Sequence, residues 1–338
     1  MSIAEVEAQE LGREGASSGL WSDALRRLIR NPSAVFGALL VSIFVTMAIF
    51  APVLAHGGPK DQNLILIAGG CCPGPSHAHW LGVDQLGRDV YTRILYGARY
   101  SLLIGVVSVT IGLSIGLILG SIAGYVGGVA DSVIMRAMDI MLAIPGLLFA
   151  IGIVAALGPG LYQIMIAVGV VNIPIFARLL RGSILAQREN DFVLAARAVG
   201  VRRHRILFSH ILPNAISPVI VQGTLAMATA IIDVAGLGFL GLGPQDPATP
   251  EWGTMLSDVN DYLQTAPWLA IIPGVAIVLS VLGFNLIGDG LREALDPKLR
   301  GRTGRFRERS PFWFLSLRRP RREAAGGGAN PAGKGGVV

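Results

Sequence analysis

The stretch DFVLAARAVGVRRHRILFSHILPN, Asp191 to Asn214, is a polar and strongly basic segment set between apolar runs that are each able to cross a bilayer. Ala195, Ala196, Val199 and Val201 fall on one side of a short helix, Gly200 interrupts it, and Ile206, Leu207, Ile211 and Leu212 begin a second helical face. Pro213 then opens the next span. Two short amphipathic helices joined at a glycine make an L-shaped projection, and its small alanine faces let another surface come close. The segment reads as a docking knob, and the rest of the chain as what holds it in place.

The 338 residues are 52% hydrophobic and only 15% charged, with a mean hydropathy of +0.59. That is too apolar for a soluble domain of this length, so the chain reads as an all-α integral membrane protein. Apolar runs fall at Ser33 to Leu54, Ser101 to Tyr125, Ser132 to Leu157, Leu161 to Leu180, Ala215 to Leu240 and Pro267 to Gly288. Each is near the twenty residues that a hydrocarbon core requires, which makes six spans. The first is longer than a secretory h-region and reads as an uncleaved anchor.

The net charge of +6 would suit a nucleic-acid partner if the basic residues were spread over a fold. They are not. With the N-terminus in the cytoplasm, four arginines before the first span, Arg136, seven between Arg178 and Arg205 and twelve basic residues from Arg292 onward all lie inside, 24 of the 28. Only Lys60, Arg88, Arg93 and Arg99 lie outside, so the charge is a topology signal, both termini are cytoplasmic, and no nucleic-acid partner is expected. The organisation is then a cytoplasmic segment with an interfacial helix at 1–32, an anchor helix at 33–54, an extracytoplasmic loop at 55–100, a five-helix core at 101–290 and a basic cytoplasmic tail at 291–338. Membrane lipid is an expected partner at the interfacial helix and along the tail, where Pro311 to Leu317 precede four arginines.

Several smaller patterns carry chemistry. In the outer loop, Val90, Ile94 and Leu95 recur at helical spacing between Arg88, Asp89 and Arg93, predicting an amphipathic helix at the outer surface. Cys71 and Cys72, with His56, His77 and His79 nearby, leave a soft-metal site, a disulfide and plain thiols open; adjacent cysteines ligate one ion poorly, so no metal is expected. Ser108, Gly112, Gly116, Gly120 and Gly124 recur every four residues, a small-residue ridge for close helix packing. Asp139 sits near Arg136 as a structural pair, Pro145-Gly146 can bend the third span as a gate element, and Pro174 follows Asn172 in the fourth. Asp233 is the other membrane acid, lining a pathway or pairing with a neighbouring helix. Gly236, Gly238 and Gly241 spell a dinucleotide motif, but no strand precedes them and the reading is rejected. The loop from Pro244 to Ala266 has no basic residue and makes an acidic outer rim of Asp246, Glu251, Asp258 and Asp261.

Ala195-Ala196, Gly200 and then His210-Ile211-Leu212-Pro213 resemble the cytoplasmic "EAA" loop of ABC importer membrane subunits. HWLGVDQLGRDVYTRILYGAR, DIMLAIPGLL, GFLGLG, TAPWLAIIPG and FNLIGDGLREALDP extend the resemblance over about Asn31 to Lys298, specifically to the C-type subunit of dipeptide/oligopeptide permeases. The resemblance implies the six-helix type I importer permease fold in a bacterial inner membrane. It implies a second permease subunit, two ATP-binding cassette subunits gripping the loop (183–213 in full), and an extracytoplasmic solute-binding protein. It assigns ATPase coupling to Asp191, Leu194, Ala195, Ala196, Gly200, His210, Leu212 and Pro213, and binding-protein contact to Asp84, Arg88, Asp89 and Arg93, for which structural pairing within the loop is the alternative. Where the family has Glu at the first motif position, this chain has Leu194, and Glu189 or Asp191 replaces that charge only through a changed geometry.

The three lysines, Lys60, Lys298 and Lys334, fall in no Walker A context, and no Ser/His/Asp or Cys/His arrangement forms a plausible pocket, so a non-enzyme subunit without a cofactor is expected. The solute implied by the resemblance is a di- or oligopeptide; related permeases carry nickel, glutathione or other small solutes. An ion-coupled secondary transporter would rest on Asp139 and Asp233 alone, without a visible repeat. A scaffold without transport would leave the docking loop unexplained.

Overall fold

The computed structural model describes residues 20–295, and these form helices and connecting loops with one isolated antiparallel bridge between Val83 and Asp89. The expectations for residues before Leu20 and for the basic tail with Pro311 to Leu317 concern residues outside this range.

Helix α1, Leu20–Arg30, leads into α2, Pro32–Leu54. Asn31 makes the join: its side-chain oxygen accepts from the N–H groups of Ser33 and Ala34, and its amide donates to Glu293 at 2.7 Å. A polar N-cap of this kind satisfies donors that would otherwise point into the membrane boundary. Ala34, Gly37 and Phe44 of α2 face inward, whereas Phe36, Leu39, Ile43 and Ile49 are exposed, the surface that a bilayer covers.

Helix α3, Val90–Val126, begins at an Asp89 cap that accepts from the Thr92 N–H at 2.8 Å and runs unbroken for 37 residues, about 55 Å at the α-helical rise. The expected surface helix and the second span are thus one helix. No proline occurs between Val90 and Val126, so nothing in the sequence forces the first segment to stop before the membrane.

The third span is broken. Helices α4, Gly128–Ala143, and α5, Gly146–Leu157, meet at 93°. Ile144 is extended because the following Pro145 disfavours the helical region, and Pro145 then serves as the N-cap residue of α5. In α6, Leu161–Arg188, Pro174 is carried inside a continuous helix, with the buried Asn172 amide donating to the Val168 carbonyl at 2.8 Å.

Helix α7, Asp191–Ala198, and the short α8, Arg203–Arg205, flank Gly200. A wider π turn at Ile206–Ile211 and α9, Leu212–Ala215, then lead to α10, Ser217–Leu237, which ends in a second π turn at Gly238–Leu242. Pro213 lies in α9, one turn before the span itself. Helix α11, Trp252–Asp258, precedes the last long helix, α12, Trp268–Leu295. Among the described residues five helices are long and apolar enough to cross a bilayer, and the number is six if the bent pair α4/α5 counts as one span.

The tightest packing joins α3 to α6. A methyl group added at Gly112 would stand 2.7 Å from Asn172 Cβ, at Gly116 2.6 Å from Phe176 Cβ, at Gly120 2.6 Å from the Ala177 carbonyl oxygen, and at Gly124 3.0 Å from Ile184 Cβ. The ridge is therefore the contact itself: between lipid-embedded helices, which have little hydrophobic drive to associate, close van der Waals approach is what holds them. Around it, Ile104, Ile164, Phe176, Leu180, Ile184 and Val234 form the main core, and a second core of Phe44, Ile94, Trp252 and Leu269 sits at the end that carries the 55–89 and 244–266 loops. That end is the outer one in the topology read from the sequence.

Candidate functional site

The segment between α6 and α10 has an inner and an outer face. Val193, Ala196, Ile206, Leu207 and Ile211 are buried in the main core beside Ile184. Leu194, Ala195, Val199 and Phe208 are exposed, with Arg197, Arg202, Arg203, His204 and Arg205 among them. The expected shared face of Ala195, Ala196, Val199 and Val201 is therefore split: Ala196 is buried and Val201 half-buried, whereas Ala195 is exposed and Val199 stands 79% exposed at the tip. Gly200 has φ +78°, a conformation natural to glycine, and donates its N–H to the Arg197 carbonyl at 3.0 Å. Asp191 is exposed in the first turn of α7. Leu212 and His210 are half-buried, the His210 carbonyl accepts from Asn214 at 2.8 Å, and Pro213 is exposed.

One clamp ties this segment to the end of α3, and a second ties the end of α3 to the last residue of α6. The Tyr125 hydroxyl donates to the Arg203 carbonyl at 2.6 Å, and the Arg188 guanidinium donates to the Gly124 carbonyl at 3.1 Å. The base of the projection is thereby held against the end of α3, which is itself fastened to α6.

Next to it, a cavity of about 700 Å³ opens between α4, α6 and α10, lined by Leu142, Ile175, Arg178, Ser183, Pro218 and Gln222 among others. Asp139 on α4 pairs with Arg178 at 2.5 Å rather than with Arg136, the partner expected from the sequence. Arg136 is one turn from Asp139 on the same helix, but α6 brings Arg178 alongside from 39 residues away. A second pair of the same kind, Arg181 with both oxygens of Asp131 at 2.5 and 2.6 Å, ties α4 to α6 nearer the helix ends. Asp233 is partly buried on α10, three turns beyond Gln222 and on the same side of the helix. Pro145 is exposed at the α4/α5 bend.

At the opposite end, Asp84, Arg88 and Arg93 are buried and turned toward one another. Arg88 Nε lies 2.6 Å from Asp84, and Asp258 receives Arg88 at 3.2 Å and Arg93 at 3.4 Å. The residues expected to meet a binding protein thus form an internal lock between the 55–89 loop and α11; Asp89 caps α3 and accepts from, or pairs with, His79 at 3.0 Å. Pairing among these residues is the other reading that the sequence leaves open; what it does not disclose is Asp258, brought to them from 165 residues away.

Beside the lock, the fully buried Glu251 caps α11, accepting from the N–H groups of Gly253 and Thr254 at 2.9 Å and from the Ser101 hydroxyl at 3.3 Å. Burial pushes its carboxyl up to about 7, overriding those three donors. Cys71 and Cys72 are joined as a vicinal disulfide, and among the described residues no group of three or more His, Cys, Asp or Glu is arranged to hold a metal ion.

A bundle of spans with a half-embedded projection at one end and a largely apolar cavity beside it, carrying a few polar groups, fits a multi-pass membrane transport subunit. A family model described as the binding-protein-dependent transport system inner membrane component matches residues 116–301, and one described as the N-terminal TM domain of oligopeptide transport permease C matches residues 19–68. The chain is 50% identical to the dipeptide transport system permease protein DppC of Alkalihalophilus pseudofirmus, over 83% of this chain and 90% of that one. It is 47% identical to the di/tripeptide transport system permease protein DppC of Pseudomonas aeruginosa, over 80% and 89%, and 48% identical to the glutathione transport system permease protein GsiD of Shigella flexneri, over 83% and 91%. In fold it is similar to a chain of the MetNI methionine ABC transporter in an inward-facing crystal form, with a TM-score of 0.51, 20% identity, and coverage of 60% of this chain and 96% of that one. The chain belongs to the permease subunits of binding-protein-dependent ABC importers, in their dipeptide/oligopeptide branch.

Proposed function

We propose that the chain is the membrane subunit of an ATP-driven importer of di- or oligopeptides. In this reading it forms the conduit with a second permease subunit, is driven by two cytoplasmic ATPases, and receives solute from an extracytoplasmic binding protein. The named solutes of the relatives, dipeptides, di/tripeptides and glutathione, are all short peptides, which supports one substrate class for the group.

The observation that carries the mechanism is the two-faced loop. Its inner face is continuous with the core that packs α3, α6 and α10, and its outer face is an apolar tip rimmed by arginines. An ATPase cleft that grips Leu194, Ala195, Val199 and Phe208 would turn the projection as a rigid lever, and the Tyr125 and Arg188 clamps would carry that turn into the spans. Leu194 makes the contact at the motif's first position apolar instead of ionic. Asp191, Ala196, Gly200, His210, Leu212 and Pro213 shape the lever. The α4/α5 bend at Pro145 and the acid Asp233 belong to the conduit and its gate. With Asp84, Arg88 and Arg93 locked internally, docking of the binding protein falls to the exposed residues of the 55–89 and 244–266 loops. The cytoplasmic side of the inner membrane holds the projection and both termini, as the distribution of basic residues supports.

The test is uptake of a labelled dipeptide by proteoliposomes containing the full complex. Accumulation that needs both ATP and the binding protein is expected; accumulation driven by an ion gradient without ATP would replace this reading with a secondary transporter.

A further inference from the structure

The pair between Asp139 and Arg178 is poorly explained as a tie between helices. Arg181 and Asp131 already join α4 to α6 with two short bonds, and their side chains are 31% and 20% exposed. Arg178 meets Asp139 through a single contact, and these side chains are 52% and 62% exposed. Arg178 lies ten residues, about 15 Å, before the end of α6, within the apolar run that reads as the fourth span. An ion pair this open does not face hydrocarbon, so its side of the bundle is wetted or covered by polar surface.

The same guanidinium lines the cavity between α4, α6 and α10, and Ser183 and Gln222 add hydrogen-bonding groups to an otherwise apolar wall. On α10, Gln222, Thr229 and Asp233 are spaced by seven and four residues, which places them on one face of the helix and continues the polar strip for about 16 Å. The volume, about 700 Å³, suits a small solute.

We propose that Asp139 and Arg178 form a way-station for a zwitterionic solute inside the conduit: the guanidinium takes its carboxylate and Asp139 its ammonium group. The inference rests on the peptide reading above and deepens it. A zwitterion with both charges at its ends exchanges one internal ion pair for two external ones without changing the net charge of the site. When it leaves, Asp139 and Arg178 close on each other again, so neither charge is stranded. Weak capture with ready release is what a conduit requires, and a free arginine alone would hold anions too well.

The experiment uses the full importer complex carrying Ser183→Cys, in inside-out vesicles without ATP or binding protein, and measures the rate at which a maleimide labels the introduced thiol. Millimolar Ala-Ala is expected to slow labelling at least about threefold, and the same dipeptide acetylated at its N-terminus and amidated at its C-terminus is expected to leave the rate unchanged. Adding Arg178→Gln or Asp139→Asn should abolish the protection. Equal protection by the free and blocked dipeptides, no protection by either, or protection that survives both substitutions would overturn the proposal. The comparison of free with blocked dipeptide needs no substitution at the pair, so it decides the matter even if a variant fails to assemble. Protection without ATP-driven dipeptide uptake would sink the peptide-importer reading and leave the station standing; uptake without protection would do the reverse.

Discussion

Replacing Gly120 by alanine tests how α3 and α6 hold together. The added methyl carbon would stand 2.6 Å from the Ala177 carbonyl oxygen and 3.1 Å from its Cα, both backbone atoms that no rotamer change can move aside. Carbon–oxygen contacts settle near 3.3 Å or beyond, so the helices must part locally by about 0.7 Å. A gap of that size forfeits about a quarter to a half of each dispersion contact it opens. The parting would extend to Gly116 and Gly124, one turn away on either side, where added methyl groups would stand 2.6 and 3.0 Å from Phe176 and Ile184. A cost of about 2 kcal/mol is expected, in line with overpacked cores. Gly152→Ala is the control: a methyl group there meets nothing within 4 Å, and relief of glycine's backbone entropy should stabilise α5 by about 0.5–1 kcal/mol. Unfolding of the purified chain in mild detergent should separate the two variants by about 3 kcal/mol. If Gly120→Ala is as stable as Gly152→Ala, the close glycine seam is not what holds these helices.

Three further outcomes follow from the ends of the bundle. Asp84→Asn leaves the buried Arg88 and Arg93 sharing the half-exposed Asp258, and should cost about 3–5 kcal/mol with faster proteolysis of the 55–89 loop; an unchanged melting temperature would show that the lock contributes nothing. Glu251, raised from 4.5 to about 7 by burial, contributes stability that is fully present below pH 4.5 and is lost as pH rises through 7, a span worth about 3 kcal/mol. Glu251→Gln should flatten that part of the pH profile, and a profile identical to wild type would assign the slope to other groups. Leu194→Ala should weaken binding of the ATPase subunits about tenfold, roughly the loss of one buried leucine side chain, as read by co-purification or titration; unaltered binding would place the contact elsewhere on the loop.

Hydropathy made the five long spanning helices and the bent α4/α5 pair legible, and Pro145-Gly146 made the bend legible, because both depend on residues adjacent in sequence. The glycine ridge was visible for the same reason: four-residue spacing is a property of one helix. What sequence could not disclose is set by which helices become neighbours. Asp139 had Arg136 one turn away, yet Arg178 reaches it from α6; Asp84, Arg88 and Arg93 have the pattern of a wet surface, yet Asp258 and α11 cover them. Glu251 looked like one acid among several on an outer rim, and only the arrival of Ser101 from α3 shows it to be fully buried. The docking segment was legible as two helices around Gly200, but which residues turn inward depends on Ile184 and the rest of the core, which takes Val193 and Ala196 and leaves Ala195 and Val199 outside.

The central claim is that the loop around Gly200 couples ATP hydrolysis to solute delivery. The most direct measurement is ATP hydrolysis by the reconstituted complex with and without peptide-loaded binding protein, for the wild-type chain and Gly200→Pro. Proline cannot adopt φ +78° and removes the N–H that Gly200 donates to Arg197, so the lever loses its corner while the spans keep their packing. The account predicts stimulation in the wild type and its loss in a variant that still assembles with both ATPases; full stimulation in the assembled variant would contradict it.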